Sequence, residues 1–194
     1  MKHASSRELY AHWNERRGDR ALPERADIEP AALRKALGDT FVLGAESAHD
    51  PHFRLAGTRV CALFGRELKD EAFIPLWEAA HQSMMRRLLA IVAEEGIGAV
   101  AGVDGRTAEG FATSLELLLL PLRHRGQPGR RMLGMLAPVA VPFWLGSSRL
   151  EPLCLGSLRH LGGAADNVMP SRLASAARGQ RTRHGFVVYD GGRP

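Results

Sequence analysis

Two side chains stand where their chemistry conflicts with their neighbours. His81 falls in the series Ile74, Trp77, His81, Met84, Leu88 and Ile91, whose spacings of three and four describe one face of a helix. An imidazole on such a face either hydrogen-bonds a backbone carbonyl or a carboxylate, or serves as a neutral ligand to iron. Glu116 lies between Leu115 and Leu117 in the most apolar run of the chain. A carboxylate desolvated there must be paired or protonated. Arg54, Arg59 and His81 are the partners the sequence offers it, and the polar group of a ligand is the alternative. Phe53, Cys61, Trp77 and Met84 complete a set that could line a pocket, or could be plain core.

Other catalytic signatures are absent. Cys61 and Cys154 are the only cysteines, 93 residues apart and outside any CxxC spacing, so they read as small packed thiols. The eight histidines form no HxH, HExxH or HxxxH pair. His49 and His52 flank Pro51 in a turn, a weak basis for a metal site. No GxSxG, GxxxxGK[ST] or GxGxxG occurs. The sequence therefore predicts a protein that is not an enzyme, with no catalytic residue, no metal and no cofactor; haem on His81 is a side option.

These residues need elements to hold them. Ser5-Ser6-Arg7-Glu8 resembles a capping box opening a helix to about Arg17, stopped by Gly18, with Leu9, Tyr10 and Trp13 on one side. So short a helix must dock on its own domain or on a second copy. A second helix is predicted over Pro30–Leu37. Thr40–Leu43 and His52–Leu55 read as a hairpin, Arg59–Phe64 as a helical segment ended by Gly65, and Pro75 as the opening of the longest helix, closing at Gly96. Three strands follow, Ile97–Val103, Thr107–Arg123 and Arg130–Val141, with Asp104-Gly105 the hairpin turn between the first two. The block Leu117–Leu120 predicts a strand covered on both faces. Leu150–Leu161 reads as a further strand or edge segment.

The chain has 194 residues, 45% apolar and 24% charged, which is ordinary globular usage. The longest stretch free of charge and strong polarity, Met132–Gly146, is broken by Pro138 and Pro142, whereas a membrane span needs about 20 apolar residues. The opening residues hold no apolar segment for a signal peptide, which assigns the chain to the cytoplasm. The net charge is +5 and 23 of the 26 basic residues are arginines. They are scattered, and no helix-turn-helix accompanies them, so nucleic acid is an unfavoured partner.

The runs FRLAGTRVCALFGREL (Phe53–Leu68), LELLLLPLRHRG (Leu115–Gly126) and LGMLAPVAVPFWLG (Leu133–Gly146), with the opening LYAHWNERRG (Leu9–Gly18), resemble a family of single-domain bacterial PAS proteins. The resemblance covers Ser6 to about Leu161 and, loosely, the tail. It implies an α+β fold: a five-stranded antiparallel sheet with helices on one face, preceded by N-terminal helices (residues 1–38), occupying residues 39–161, and followed by a basic extension (residues 162–194). It implies a ligand space between sheet and long helix, where haem-binding relatives place a histidine; Cys61 lacks the Asn-Cys-Arg-Phe-Leu-Gln setting of a flavin site. The function it implies is a cytoplasmic sensory and protein-interaction module in signal transduction, with a small apolar ligand as an option. Leu9, Tyr10 and Trp13 are the expected homodimer contacts. With no effector segment recognised, output is expected to pass to a signalling protein, and Arg172, Arg178 and Arg181 are the expected contacts to an acidic partner. The alternative is a nucleic-acid-associated regulator acting through the arginine-rich tail.

Overall fold

The computed structural model describes residues 1–44, 50–161, 168–169, 181–183 and 186–188. Helix α1 (Ala4–Arg17) is capped by His3, whose imidazole accepts from the Ser5 amide, rather than by a serine hydroxyl. It stops at Gly18, where φ is +52° and the amide donates to the carbonyls of Asn14 and Glu15. The helix expected over Pro30–Leu37 is replaced by two short 3₁₀ turns, Pro30–Leu33 and Leu37–Asp39. The expected hairpin forms as β1 (Thr40–Gly44) and β2 (His52–Ala56), and α2 (Thr58–Phe64) ends at Gly65 with φ +64°.

Helix α3 begins later than the sequence suggested. Ile74–Leu76 is a 3₁₀ turn, Trp77 is extended, and α3 spans Ala79–Ala90 before a π-helical turn over Ile91–Glu95. The break at Trp77 resets the helical phase. The buried face is therefore Met85, Leu88, Leu89 and Val92, and Met84 is 37% exposed.

Strands β3 (Gly98–Arg106), β4 (Ala112–His124), β5 (Gln127–Pro138) and β6 (Cys154–Leu161) complete the main sheet, with the two-residue β7 (Val168–Met169) beyond β6. All pairings are antiparallel, in the order β2-β1-β5-β4-β3-β6-β7. The sheet thus exceeds the five expected strands by β6 and β7. A separate two-stranded ladder joins β8 (Arg181–Arg183) to β9 (Phe186–Val188). Asp104-Gly105 is not the turn between β3 and β4. Both residues lie in the ladder, opposite Ser114 and Thr113. The chain reverses instead over Thr107–Phe111, with Gly110 at φ +90° and the Thr107 amide donating to the Phe111 carbonyl. Gly105 is needed in the strand because Leu150 and Leu153 pack over it; a Cβ there would lie 2.9 Å from a Leu150 methyl.

Alternation along the strands fills two cores. Phe41, Leu43, Leu115, Leu117 and Leu119 face α2 and α3, and Val42, Leu118, Leu120, Leu122 and Leu133 face α1 and the 3₁₀ turns. Helical structure therefore covers both faces of the sheet, with the N-terminal segment forming the second layer.

Candidate functional site

The proposed pocket positions do not converge. Phe53 and Trp77 are buried on the α3 side, where Phe41, Phe53, Phe73 and Trp77 pack ring against ring at centroid distances of 5.4–5.8 Å. Cys61 is half-buried on α2, its thiol 3.4 Å from the Glu67 carboxylate, and burial pushes its pKa up. His81 occupies the first turn of α3 and does not lie on that helix's buried face. Its Nδ1 is 3.8 Å from the Glu78 carboxylate, and Glu78, His81 and Cys154 bring their donor atoms within 4.8 Å of one another. The late start of α3 places His81 beside Cys154, the first residue of β6, rather than on the helix's buried face.

Glu116 is buried, as its neighbours required, but on the opposite face of the sheet from α3. None of the three foreseen partners reaches it. Arg59 forks onto Asp39 at 2.7 and 2.6 Å, Arg54 pairs with Asp70, and His81 sits near Glu78. The carboxylate instead accepts from the backbone amides of Lys2 at 2.5 Å and His3 at 3.1 Å. Burial alone would raise its pKa. The bonds from Lys2, Ser6 and His3, with the N-terminal ammonium, outweigh burial and hold it below the usual carboxylate value. Glu116 is thus a clip that fastens the start of the chain across β4.

The clip makes a prediction. Glu116→Gln places an amide donor against backbone donors and should cost about 1.5–3 kcal/mol at neutral pH. A carboxylate with a depressed folded-state pKa stabilises fully above its unfolded value of 4.5, and that contribution disappears as the pH falls through the folded value. Urea titrations at about pH 7 and about pH 3 should therefore show the gap between wild type and variant narrowing in acid. A gap of constant size would remove the clip from the account.

The N-terminal layer also decides where Leu9, Tyr10 and Trp13 go. Leu9 is 0% and Trp13 4% exposed against the chain's own sheet, and the Trp13 indole donates to the Pro121 carbonyl at 2.9 Å. Tyr10 is partly buried beside them. The expected dimer contacts are therefore intramolecular: β4 and β5 supply the apolar surface that α1 needs.

Two clefts border this layer. One, of about 360 Å³, is apolar and lined by Ile28, Leu33, Leu37, Val42, Leu55 and Leu133. The other, of about 420 Å³, runs past Met1, Lys2, Gly102, Asp104, Glu116 and Ser157.

The match to a family model now bears on this geometry: the model of a PAS domain matches residues 1–137. The chain belongs to the PAS domain family. The PAS match takes in α1, the clip and β1 through nearly all of β5, so the layer over the outer face lies inside it. PAS domains are in general sensory or interaction modules, and the antiparallel sheet flanked by helices agrees with that fold. No curated protein matches the sequence. No helix among the described residues is long and apolar enough to cross a membrane.

At the edge of the PAS match, the surface carries an exposed aromatic pair that sequence reasoning missed: the Phe111 and Phe143 rings meet edge to face at 5.0 Å, and Phe143 is 84% exposed. Val139 and Val141, close to Phe143 in the chain, are exposed as well. The strand expected over Arg130–Val141 instead stops at Pro138, which leaves Val139 and Val141 outside the sheet. Of the tail arginines, Arg172 and Arg178 lie outside the described residues, and Arg181 opens β8.

Proposed function

We propose that this protein is a sensory and protein-interaction module in signal transduction, which passes its state to another protein by direct contact. The observation that carries the reading is the exposed Phe111–Phe143 ring pair, with Val139 and Val141 exposed in the same segment as Phe143. Apolar side chains gathered on the surface mark interaction sites, and two rings already packed edge to face lose little freedom on binding. Self-association, expected of the opening helix, moves in this reading to the Phe111–Phe143 pair, because α1 is occupied by the sheet. A small apolar ligand, in turn, fits the cleft beside Leu33 and Leu133 better than the ring-filled core under α3.

The test is a Val141→Ser/Phe143→Ser double variant. Both residues are exposed, so circular dichroism and the thermal midpoint should remain those of the wild type. Light scattering on the full chain at tens of micromolar, a range chosen for roughly micromolar affinity, should show weakened self-association. Affinity capture of a signalling protein from native lysate should weaken in parallel. Association and capture that ignore the double substitution would move the interface elsewhere. A wild-type chain that neither associates nor captures a reproducible partner would overturn the reading.

A further inference from the structure

We propose that Glu78, His81 and Cys154 form a binding site for one divalent transition-metal ion, with zinc the ion whose preferences they fit. A carboxylate, an imidazole and a thiol come from two separate segments, the start of α3 and the first residue of β6, and their donor atoms lie within 4.8 Å of one another.

Main-chain bonds outside the donor set fix the two segments together. The Glu78 amide donates to the Leu153 carbonyl at 3.0 Å and the Leu153 amide to the Leu76 carbonyl at 2.8 Å, so residues 76–78 and 153 run side by side. Trp77 and Leu153, the neighbours of two of the donors, are each 1% exposed and serve as anchors. The His81 amide bonds the Glu78 carbonyl at 2.8 Å, which sets the imidazole one turn beyond the carboxylate.

An independent feature points to a ligand. The His81 Nδ1 is buried and makes no hydrogen bond, and the Glu78 Oε2 lies beyond hydrogen-bond distance at 3.8 Å. A buried ring nitrogen without a partner is costly, and a metal ion satisfies it. Tetrahedral zinc, with bonds of about 2.0–2.3 Å, holds its donors roughly 3.3–3.6 Å apart. Contraction by up to about 1.5 Å, within reach of side-chain rotation, would bring the three donors to that spacing.

The donor set selects the ion. Thiolate with imidazole excludes magnesium and calcium, which take oxygen ligands, and suits zinc. Three protein donors leave the fourth position to water. Burial, followed by the Glu78 bond and charge and the Asp104 charge, pushes the Cys154 thiol up to about 11, so the uncomplexed thiol holds its proton. Binding exchanges the S–H bond for an S–Zn bond and releases that proton to solvent. The proposal stands apart from the interaction reading, since none of its residues is Phe111, Val139, Val141 or Phe143.

The test uses the untagged full-length chain, stripped with chelator and titrated with zinc alone and with cobalt(II) alone. Calorimetry should give one zinc per chain, with heats that differ between buffers because a proton is released. Cobalt should give a thiolate-to-metal charge-transfer band. Cys154→Ser should abolish the band, and His81→Ala and Glu78→Gln should each weaken zinc binding at least about tenfold. Cys61→Ser should change neither. Zinc should raise the thermal midpoint of the wild type by about 5 °C or more when well above its Kd. Because Glu78 is exposed, Glu78→Gln keeps the test decisive if a core-side variant misfolds. A chain that takes up no stoichiometric zinc would overturn the site, as would binding that survives the three substitutions or is lost in Cys61→Ser.

Discussion

Trp13→Ala is expected to lower the free energy of unfolding by about 3–5 kcal/mol, the range for removing a buried aromatic side chain. The ring is 4% exposed in the core shared by α1 and the outer face of the sheet. Tyr10 stacks beside it at 6.1 Å and the Arg17 guanidinium lies 5.4 Å from its centroid. Its indole also satisfies the Pro121 carbonyl. Trp13→Phe separates the two contributions, because it keeps most of the apolar contact and loses only the hydrogen bond, worth about 1 kcal/mol. Denaturant titration of both variants measures the difference. A loss below about 1 kcal/mol in Trp13→Ala would mean that α1 does not rest on the sheet in solution.

Gly134→Ala should be nearly as damaging, at about 3 kcal/mol, through overpacking rather than a cavity. Gly134 sits directly opposite Phe41 on β1, and an added Cβ would fall 2.1 Å from the Phe41 ring. The ring cannot retreat. It is 0% exposed and held by Phe53 and Phe73 at 5.4 and 5.7 Å. Gly134→Ala in a Phe41→Leu background relieves the clash, so a double-mutant cycle should return a coupling of at least about 1 kcal/mol. Additive losses would show that Phe41 does not confine this glycine.

The sheet was legible where apolar residues ran on without interruption. Leu117–Leu120 cannot hide on one face of a strand, so the block announced two covered faces before the second core was visible. α1 was legible as a helix, but its partner was not, because an apolar stripe states only that something must cover it. The burial of Glu116 followed from Leu115 and Leu117, whereas its partners are backbone amides, which every residue carries and no side-chain pattern marks. The phase of α3 was misread because the count began at Ile74, and the extended Trp77 interrupts the helical period that the spacing assumed. Asp104-Gly105 looked like a turn, yet its glycine answers to Leu150 and Leu153, some 45 residues further along. The cluster of Glu78, His81 and Cys154 was invisible for the same reason. Its members become neighbours only when β6 docks beside the start of α3.

The clip and the Trp13 bond join positions 114 and 108 residues apart in the chain. At a synthesis rate of roughly 5–20 residues per second, the first helix leaves the ribosome about 5–20 seconds before the strand it must lie on. Fourteen residues do not hold a helix in water unaided, so Leu9 and Trp13 spend that interval exposed, competing for chaperones and for other nascent chains. The outer layer therefore cannot close until β4, more than 100 residues downstream of the helix that covers it, has itself been made.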